Sequence, residues 1–591
     1  MCGICGEVRF DGAQPSAIAQ TRMMDALAPR GPDGSGLAIH GNVALGHRRL
    51  RIIDLSEKAR QPMVDAELGL AIAFNGCIYN YPELREELEG KGYRFFSKGD
   101  TEVILKAWHA WGKECVKRFH GMFAFVLHER DSGRVVMARD RFGIKPLYLA
   151  ETPHSIRFAS SLPALLRAGD VDTSIDRVAL HHYMTFHAVV PPPRTIIKGV
   201  RKLPPATIRV IEPDGSREDS VYWAPPYQRD PQYASLKSDD WRDMVLDGLR
   251  RAVRRRMVAD VPVGVLLSGG VDSSLIVGIL AEEGQHGLAT FSVGFEEANG
   301  EKGDEFQYSD LIANRYDTDH HKIFVGSDRL LEALPGVIGA MSEPMVSYDN
   351  AGFYLLSQEV SKHVKVVQSG QGADEVFGGY HWYPPLANSN DVVGDYARVF
   401  FDRSHEVLKS QVNADWLPSD DVSRQFVADH LNAPGADTPV DAALRLDSHV
   451  MLVDDPVKRV DNMTMAWGLE ARVPFLDHEL VELAANIPPE EKLRSGGKGV
   501  LKDAARLVVP HEVIDRPKGY FPVPQLKYVD GPYLEMVQDA LNSRVARERA
   551  IFRDDYLNDL FANPSDHITP LRGSELWQVG LLEMWMQSHG I

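Results

Sequence analysis

An apolar run at residues 261–267 passes without a break into Ser268-Gly269-Gly270-Val271-Asp272-Ser273, a helical pattern takes over at 274–283, and a second apolar run follows at 289–293. A strand that is apolar on both faces and leads straight into a helix reads as one unit of a parallel sheet, since strands of that kind are covered by helices on both sides. Such a sheet opens nucleotide-sized crevices at the carboxyl ends of its strands. The glycines let backbone approach an anion closely, and the start of the helix offers unpaired N–H groups with a favourable dipole. The turn is therefore a phosphate cradle. No lysine follows as in Gly-x-x-x-x-Gly-Lys, and the spacing is not that of Gly-x-Gly-x-x-Gly. Asp272 within it is placed to meet Mg2+, a hard cation that takes carboxylate and phosphate oxygens.

A chain of 591 residues is too long for one core, so two or three domains are expected. The first two hundred residues alternate short β-rich runs (43–45, 69–74, 121–127, 135–138, 155–158) with turn signals, and helical spacing appears at 82–89 and 101–112. That is sheet-rich α+β grammar, assigned to residues 2–210. Pro213, Gly215, Pro225, Pro226 and Pro231 among polar residues mark a linker over 211–235. Residues 236–591 carry the α/β pattern, which turns predominantly helical beyond about 385. No run of eighteen apolar residues could span a bilayer. Acidic residues outnumber basic ones by 83 to 65, a formal charge of -18 that repels a polyphosphate backbone, so neither membrane nor nucleic acid is an expected partner. The basic stretch Arg250, Arg251, Arg254, Arg255 and Arg256 suits one solvated helix face. Four cysteines, at 2, 5, 77 and 115, form no disulfide framework and no paired zinc motif. A reducing cytoplasm fits, the first twenty residues hold no secretory signal, and Cys5 and Cys115 read as core residues.

Cys2 is the second chemical landmark. Removal of Met1 would leave it with both a thiol and a free α-amine, whose ordinary pKa of about 7.7–8.0 lets it serve as base for its own nucleophile. Behind Cys2-Gly-Ile-Cys-Gly come Arg30-Gly-Pro-Asp33, His47-Arg-Arg49-Leu50, Asn75-Gly76 and Gly99-Asp100. Each has a use if the substrate is glutamine: Arg49 for the α-carboxylate by a bidentate pair, Asp100 for the α-ammonium, and the Asn75 amide with the Gly76 N–H for the oxyanion of a tetrahedral intermediate. These residues resemble a class II, N-terminal-nucleophile glutaminase domain, and the resemblance covers residues 2 to 205. It implies the same roles for Cys2, Arg49, Asn75, Gly76 and Asp100. One position departs: that family usually carries Glu after Asn-Gly, a second partner for the ammonium, where this chain has Cys77, read as a small buried residue beside the oxyanion hole.

A second glycine-rich turn, Ser369-Gly370-Gln371-Gly372-Ala-Asp374-Glu375, again follows an apolar strand, and Asp374 is a further metal-ligand candidate. The stretch 461–478, with Glu470, Arg472, Asp477 and His478, precedes 498–502 and 516–521, with Lys498 and Lys502, and these two supply charges read as neutralising phosphates. The first turn resembles the pyrophosphate-binding motif of enzymes that cleave ATP between its α and β phosphates. The whole set, in this order, resembles the glutamine-hydrolysing asparagine synthetase family over nearly the entire chain. The fold implied is an α+β N-terminal-nucleophile glutaminase domain, a sheet sandwich with helices, followed by an α/β parallel-sheet, ATP-pyrophosphatase-like synthetase domain with a helical extension. By the resemblance, Leu267 and Val293 with Ser369 and Gly370 frame adenosine, Ser268, Gly269, Gly270, Asp272 and Ser273 hold phosphates, Lys498 meets pyrophosphate, and ATP and Mg2+ are the expected substrate and cation. Homodimers are compatible with it, and a passage for ammonia between two sites is implied.

The usual acceptor in that family is aspartate, and this chain departs where the acceptor should bind. Ser-Gly-Glu-Gly of asparagine synthetases stands here as Ser369-Gly370-Gln371-Gly372, and Glu-Pro-x-x-Asp as Glu343-Pro-Met-Val-Ser347, with Asp349 two residues on. Gln371 is no base and carries no charge for an ammonium. Two absent acids point to an acceptor without a free α-ammonium, and Asn-Gly-Cys-Ile-Tyr-Asn-Tyr with Gly-Gln-Gly-Ala-Asp-Glu resembles the branch that amidates N-acetylglutaminylglutamine. Aspartate stays open as the alternative acceptor. So does a role of another class, a non-catalytic binder of nucleotide or glutamine, against which the intact Cys2, Asn75, Asp272, Asp374 and Lys498 argue.

Overall fold

The computed structural model describes residues 2–297, 303–516, 526–527 and 529–591. The amino-terminal part folds as two antiparallel six-stranded sheets. In the first, β1 (Gly3–Arg9), β2 (Gly34–His40), β3 (Val43–Arg49), β8 (Tyr148–Thr152), β9 (Ser155–Ala159) and β10 (Val200–Lys202) run in the order β10-β8-β9-β1-β3-β2. In the second, β4 (Met63–Asp65), β5 (Leu70–Ile78), β6 (Gly121–Glu129), β7 (Val135–Arg139), β11 (Thr207–Ile211) and β12 (Arg217–Val221) run β12-β11-β7-β6-β5-β4. Alternation along each strand decides what lies between and outside them. Ile4 and Val8 of β1 meet the small residues Ala71, Ala73 and Ala124 of the facing sheet. Cys5 turns the other way, onto Ala19, Met23 and Leu27. Leu70, Ile72 and Phe74 of β5 likewise turn outward onto Val103, Ile104 and Ala107 of the helix Asp100–Trp111. With side chains at period two and both faces apolar, the sandwich has to be covered by helices on both sides.

β12 pairs with β11 from Thr207↔Val221 to Ile211↔Arg217. The second sheet thus reaches into residues read from sequence as linker, because Pro213 and Gly215 turn a hairpin there. The crossing follows it, fastened to both parts: the Tyr222 hydroxyl donates to the Arg139 carbonyl (3.0 Å), and the Trp223 indole to Glu482 (2.7 Å).

The second part is built on a parallel sheet of order β15-β14-β13-β16-β17, formed by β13 (Val263–Leu266), β14 (Ala289–Phe295), β15 (Asp319–Val325), β16 (Val366–Gln368) and β17 (Glu470–Arg472). Val265 and Leu267 pack on Val245, Leu249, Leu275 and Ile279 of the helices Ser238–Arg255 and Val271–Glu282. Leu266 and Phe291 pack on the opposite face, among Leu355, Leu356 and Val360 of the helix Asp349–Val360. The basic stretch on Ser238–Arg255 is spent on acids: Arg250 on Glu282 (3.0 Å), Arg254 on Glu283 (2.5 Å) and Arg256 on Asp477 (2.9 Å). Among the described residues no helix is long and apolar enough to cross a membrane.

Buried ion pairs join the two parts. Asp461, on the helix Lys458–Met465, takes Arg30 through both oxygens (2.8 and 3.2 Å) and Lys145 at 3.1 Å. Lys202 bonds Glu343 (2.9 Å) and Asp454 (2.6 Å). Replacing Asp461 by Ala strands two buried cations and should lower unfolding stability by about 3–5 kcal/mol, to be read from the denaturant midpoint against that of the parent protein.

Candidate functional site

Cys2 precedes β1 and lies buried between the two parts. Its N–H donates to Asn75 Oδ1 at 3.0 Å. Asn75 Nδ2 is buried and has no protein partner, an amide donor left over within reach of the nucleophile's residue. In water-free surroundings such an orphan is expensive unless an oxygen arrives to accept from it. Gly76 comes next on β5, opposite Phe123 of β6. A Cβ there would lie 2.1 Å from the Met122 carbonyl oxygen, so the close strand pairing at this point admits only glycine. Burial pushes the Cys2 thiol above its ordinary value, while positive charge at the amino terminus and Arg49 pull it back, so the nucleophile needs a base.

A small cavity of about 30 Å³ opens on this nucleophile, lined by Cys2, Arg49, Gly76, Cys77, Asp100, Glu470 and Arg472 among others. Arg49 ends β3, and its guanidinium is aimed by two backbone carbonyls, those of Ser56 (2.9 Å) and Asp54 (2.5 Å), which leave its charge for a ligand. Asp100 opens the helix Asp100–Trp111 and accepts from the Ile78 N–H (3.1 Å); burial pushes its carboxyl up to about 6. The cavity thus faces an amino acid with a cation for its carboxylate and an anion for its ammonium. Cys77 is buried with its Sγ 3.8 Å from Arg472 Nη2, and burial pushes its thiol far up, which keeps it protonated.

Glu470 and Arg472 come from β17 of the other part, and sequence reasoning assigned neither to this cavity. Of the charges in 461–478, Asp461 crosses to Arg30 and Lys145, while Arg472 pairs with Glu470 (2.6 Å) and Asp477 with Arg256 inside the second part. The available signal was the Glu-x-Arg spacing, which puts both side chains on one face of a strand, though nothing local says which domain that face meets.

A larger cavity of about 540 Å³ lies at the carboxyl ends of β13, β14 and β16. It gathers Leu267, Ser268, Gly270, Asp272, Ser273, Val293, Ser369, Gly370, Gln371, Asp374 and Lys498, all singled out from sequence; Gly269 stands in the same turn with φ 73°. The turn is braced by Ser273 Oγ, which accepts from the Ser268 N–H (3.2 Å) and donates to the Gly270 carbonyl (3.2 Å). Gly270 caps the helix Val271–Glu282, whose first N–H groups therefore face the cavity. Lys498 bonds Asp272 (2.7 Å) and Asp374 (3.0 Å); burial alone would lower it, but the two carboxylates carry its ammonium above the ordinary range. Gly379 makes room for this triad, since a Cβ would stand 2.0 Å from Asp374 Oδ1 and 2.5 Å from Lys498 Cε. Lys502, Arg459 and Arg516 add cationic lining; of the 516–521 stretch the rest lies outside the described residues.

The three residues expected near the acceptor separate. Gln371 lines the cavity. Ser347 Oγ takes Arg459 Nη1 (2.5 Å). Glu343 is not among the lining residues: its carboxylate is locked in the interdomain cluster by Lys202 (2.9 Å), Lys458 (3.3 Å) and the Ile196 N–H (3.0 Å). Its neighbour in sequence Asp349 does line the cavity, 3.7 Å from Arg459, with its carboxyl pushed up by burial against the pull of that guanidinium. Glu375 accepts from the Tyr380 hydroxyl (2.7 Å), and burial together with Asp374 pushes it up to about 7. Elsewhere at the interface His120, His478 and Glu479 form a group of metal-ligating type, but Glu479 is bonded to Arg255 (2.8 Å), a cation that competes with any metal.

The pattern of the family described as Asparagine synthase matches residues 244–587, and that of a Glutamine amidotransferase domain matches residues 1–223. Asparagine synthetase [glutamine-hydrolyzing] 1 of Bacillus subtilis is 31% identical, over 99% of this chain and 96% of its own. A putative asparagine synthetase [glutamine-hydrolyzing] of Mycobacterium tuberculosis is 32% identical over 99% and 97%. Amidase chry2 of Gibberella zeae is 26% identical over 91% of each.

Two outcomes follow from the small cavity. Gly76→Ala must displace the Gly76 N–H from its place against β6, and on the reading of that N–H as an oxyanion donor a loss of about 10²–10³-fold in kcat for glutamine hydrolysis is expected, read as ammonia release. Asp100 accepts an ammonium only when ionised, so kcat/KM for glutamine should fall as pH drops through about 6, a limb that Asp100→Asn removes together with most of the activity.

Proposed function

This chain belongs to the glutamine-hydrolysing asparagine synthetase family, and from that premise we propose that its two cavities run the two halves of one amidation whose acceptor is a blocked peptide carboxylate. Members are carbon–nitrogen ligases that use glutamine, ATP and a carboxylate acceptor. In the small cavity, Cys2 Sγ attacks the side-chain amide carbon of glutamine after its own α-amine, free once Met1 is removed, has taken the thiol proton. Asn75 Nδ2 and the Gly76 N–H receive the oxyanion, Arg49 and Asp100 hold the ends of the amino acid, and the amine returns the proton to the departing ammonia. Water then releases glutamate from the thioester.

In the large cavity, a carboxylate oxygen of the acceptor attacks the α-phosphorus of ATP, and pyrophosphate leaves. The helix start at Val271 and Lys498 are the donors offered to the phosphates. Asp272 and Asp374 bring carboxylate oxygens to the same place, both bonded to Lys498 in this structure; they would hold Mg2+ only in exchange for that ammonium, and the ion when bound would neutralise phosphate charge. Ammonia attacks the acyl carbon of the mixed anhydride and AMP departs. A free path through water would protonate the ammonia, which is the reason for a sheltered passage between the cavities.

The acceptor reading rests on one observation: the acceptor end presents no ready carboxylate for an ammonium. Position 371 is an amide, Asp349 is spent on Arg459 and raised by burial, Glu375 is spent on Tyr380 and raised to about 7. An acylated amino terminus, as in N-acetylglutaminylglutamine, has no such charge to satisfy, while its amides can bond Gln371 and its single carboxylate is the reacting group. A reducing cytoplasm agrees with four free cysteines, and we expect a protein that works without nucleic acid or membrane, as a monomer or homodimer. Acceptor-dependent AMP release decides the matter. The blocked dipeptide should exceed aspartate by roughly 100-fold in kcat/KM, ~2.7 kcal/mol of transition-state binding; an equal or better rate with aspartate overturns the reading.

A further inference from the structure

We propose that Gln61 and His47 are positioning residues of glutamine hydrolysis: their side chains replace one rung of the second sheet, holding Asn75-Gly76 in register and leaving the next rung open for the oxyanion. The inference rests on the assignment of the small cavity to glutamine. β4 and β5 pair along Asp65↔Leu70, Val64↔Ala71 and Met63↔Ile72, and there the strand pairing ends. Continued further, the same register sets Gln61 opposite Phe74 and Ala59 opposite Gly76. Neither rung is made by backbone, and Ala59 sits instead in the short helical turn Glu57–Ala59. The Phe74 N–H donates to Gln61 Oε1 at 2.7 Å, and the Phe74 carbonyl accepts from His47 Nε2 at 3.1 Å. An amide oxygen and an imidazole N–H thus take the two places that a neighbouring strand's carbonyl and N–H would fill.

Which way each backbone group points follows from the alternation of an antiparallel ladder. Phe123 of β6, opposite Gly76, spends its N–H and carbonyl on Asp140 (3.0 and 2.8 Å), away from β5. Gly76 therefore turns its own N–H to the open edge, between the N–H of Phe74 on Gln61 and that of Ile78 on Asp100 Oδ2 (3.1 Å). Side chains answer the two outer donors, and the middle one faces the cavity, which Gln61, Phe74, Gly76 and Asp100 all line. A longer β4 would pair this edge throughout and occupy the donor that the oxyanion needs. With no support at all, Phe74 would keep a buried N–H and carbonyl unsatisfied beside Asn75. Both supports are themselves fixed. Gln61 Nε2 donates to Thr101 Oγ1 (3.3 Å), on the helix that Asp100 opens. His47 stands on β3 opposite Ile4, essentially inaccessible to solvent; burial pushes it down to about 3, so the ring is neutral, and its carbonyl partner fixes the proton on Nε2. Donors held in advance cost no reorganisation when charge develops.

The test uses the full-length protein and ammonia release from glutamine. Gln61→Met keeps the shape of the side chain and removes the acceptor; kcat should fall by roughly 30-fold with KM within about twofold, because Arg49 and Asp100 still hold the ends of the substrate. In a Gly76→Ala background, where the donor is already displaced, the same substitution should cost no more than about threefold, whereas a general loss of packing would multiply the two effects. His47→Gln, which keeps an N–H for the Phe74 carbonyl, should retain kcat within about fivefold, and His47→Leu should lose as much as Gln61→Met. A single cooperative unfolding transition shows that each variant is folded; where Gln61→Met is not, the two His47 variants carry the test. An unchanged kcat in Gln61→Met, losses that multiply in the double variant, losses carried by KM, or a His47→Leu as active as His47→Gln overturn the proposal. Parental kcat in Gly76→Ala overturns the oxyanion assignment, and a parent protein that releases no ammonia overturns the glutaminase assignment, each taking the proposal with it.

Discussion

Everything in this molecule depends on how its two parts are held together, and that is done by buried charge of one polarity. The cations Arg30, Lys145 and Lys202 come from the sandwich, and the carboxylates Asp461, Glu343 and Asp454 from the parallel-sheet part. Burying such pairs recovers little net stability, because desolvation cancels most of the attraction. What they supply is register: a shift of a few ångströms would leave several charges in a dry interface without partners. Register matters here because each cavity takes part of its wall, or of its support, from the seam. Arg30 shows the coupling at close range, donating Nε to the Cys2 carbonyl (3.3 Å) while its Nη atoms grip Asp461. Cys2 is thus positioned from the far domain through one guanidinium.

The sequence was most legible where chemistry and backbone geometry coincide. A glycine turn between an apolar strand and a helix has few structural solutions, and Ser268, Gly270, Asp272, Ser369 and Gly370 do meet in one cavity. Asn75-Gly76 was legible for the same reason, since the requirement for glycine is written into the pairing of β5 with β6. The Glu-x-Arg of β17 was not. A three-residue strand buried on all sides carries no amphipathic pattern to say which neighbour it faces, and Cys77 and Arg472 are 395 residues apart. Glu343 illustrates the converse error. It stands in a segment whose neighbour Asp349 does reach the cavity, yet its side chain turns into the seam, where Lys202 and Lys458 offer it more than a solvated cavity would. The linker failed on a hairpin: proline and glycine read equally well as a domain edge and as a turn, and only the pairing of β11 with β12 separates the two.

Electrostatically the two cavities solve opposite problems. The large one gathers cations that are numerous but restrained. Lys498 is held by two carboxylates and Arg516 by Glu305 (2.9 Å), so neither collapses onto a phosphate cradle that would otherwise be strongly positive when empty. The small one shows balanced charge, Arg49 and Arg472 against Asp100 and Glu470. Balance keeps the cost of the empty site low, and it makes recognition depend on where each charge stands rather than on how many there are.

That difference bears on why one chain should hold both. A balanced, tightly walled pocket with a wall borrowed from its neighbour is sensitive to the position of β17, and β17 pairs with β16 along Val366↔Glu470, Val367↔Ala471 and Gln368↔Arg472. β16 leads directly into Ser369 and Gly370 of the nucleotide turn. Any ligand that tightens that turn presses on a short strand pair whose other edge carries Glu470 and Arg472. Interiors packed at crystal density transmit such displacements rather than absorbing them. The seam thus places the wall of the small cavity, Glu470 and Arg472, and the turn of the large one, Ser369 and Gly370, at two adjacent strands of one sheet, one hydrogen bond apart.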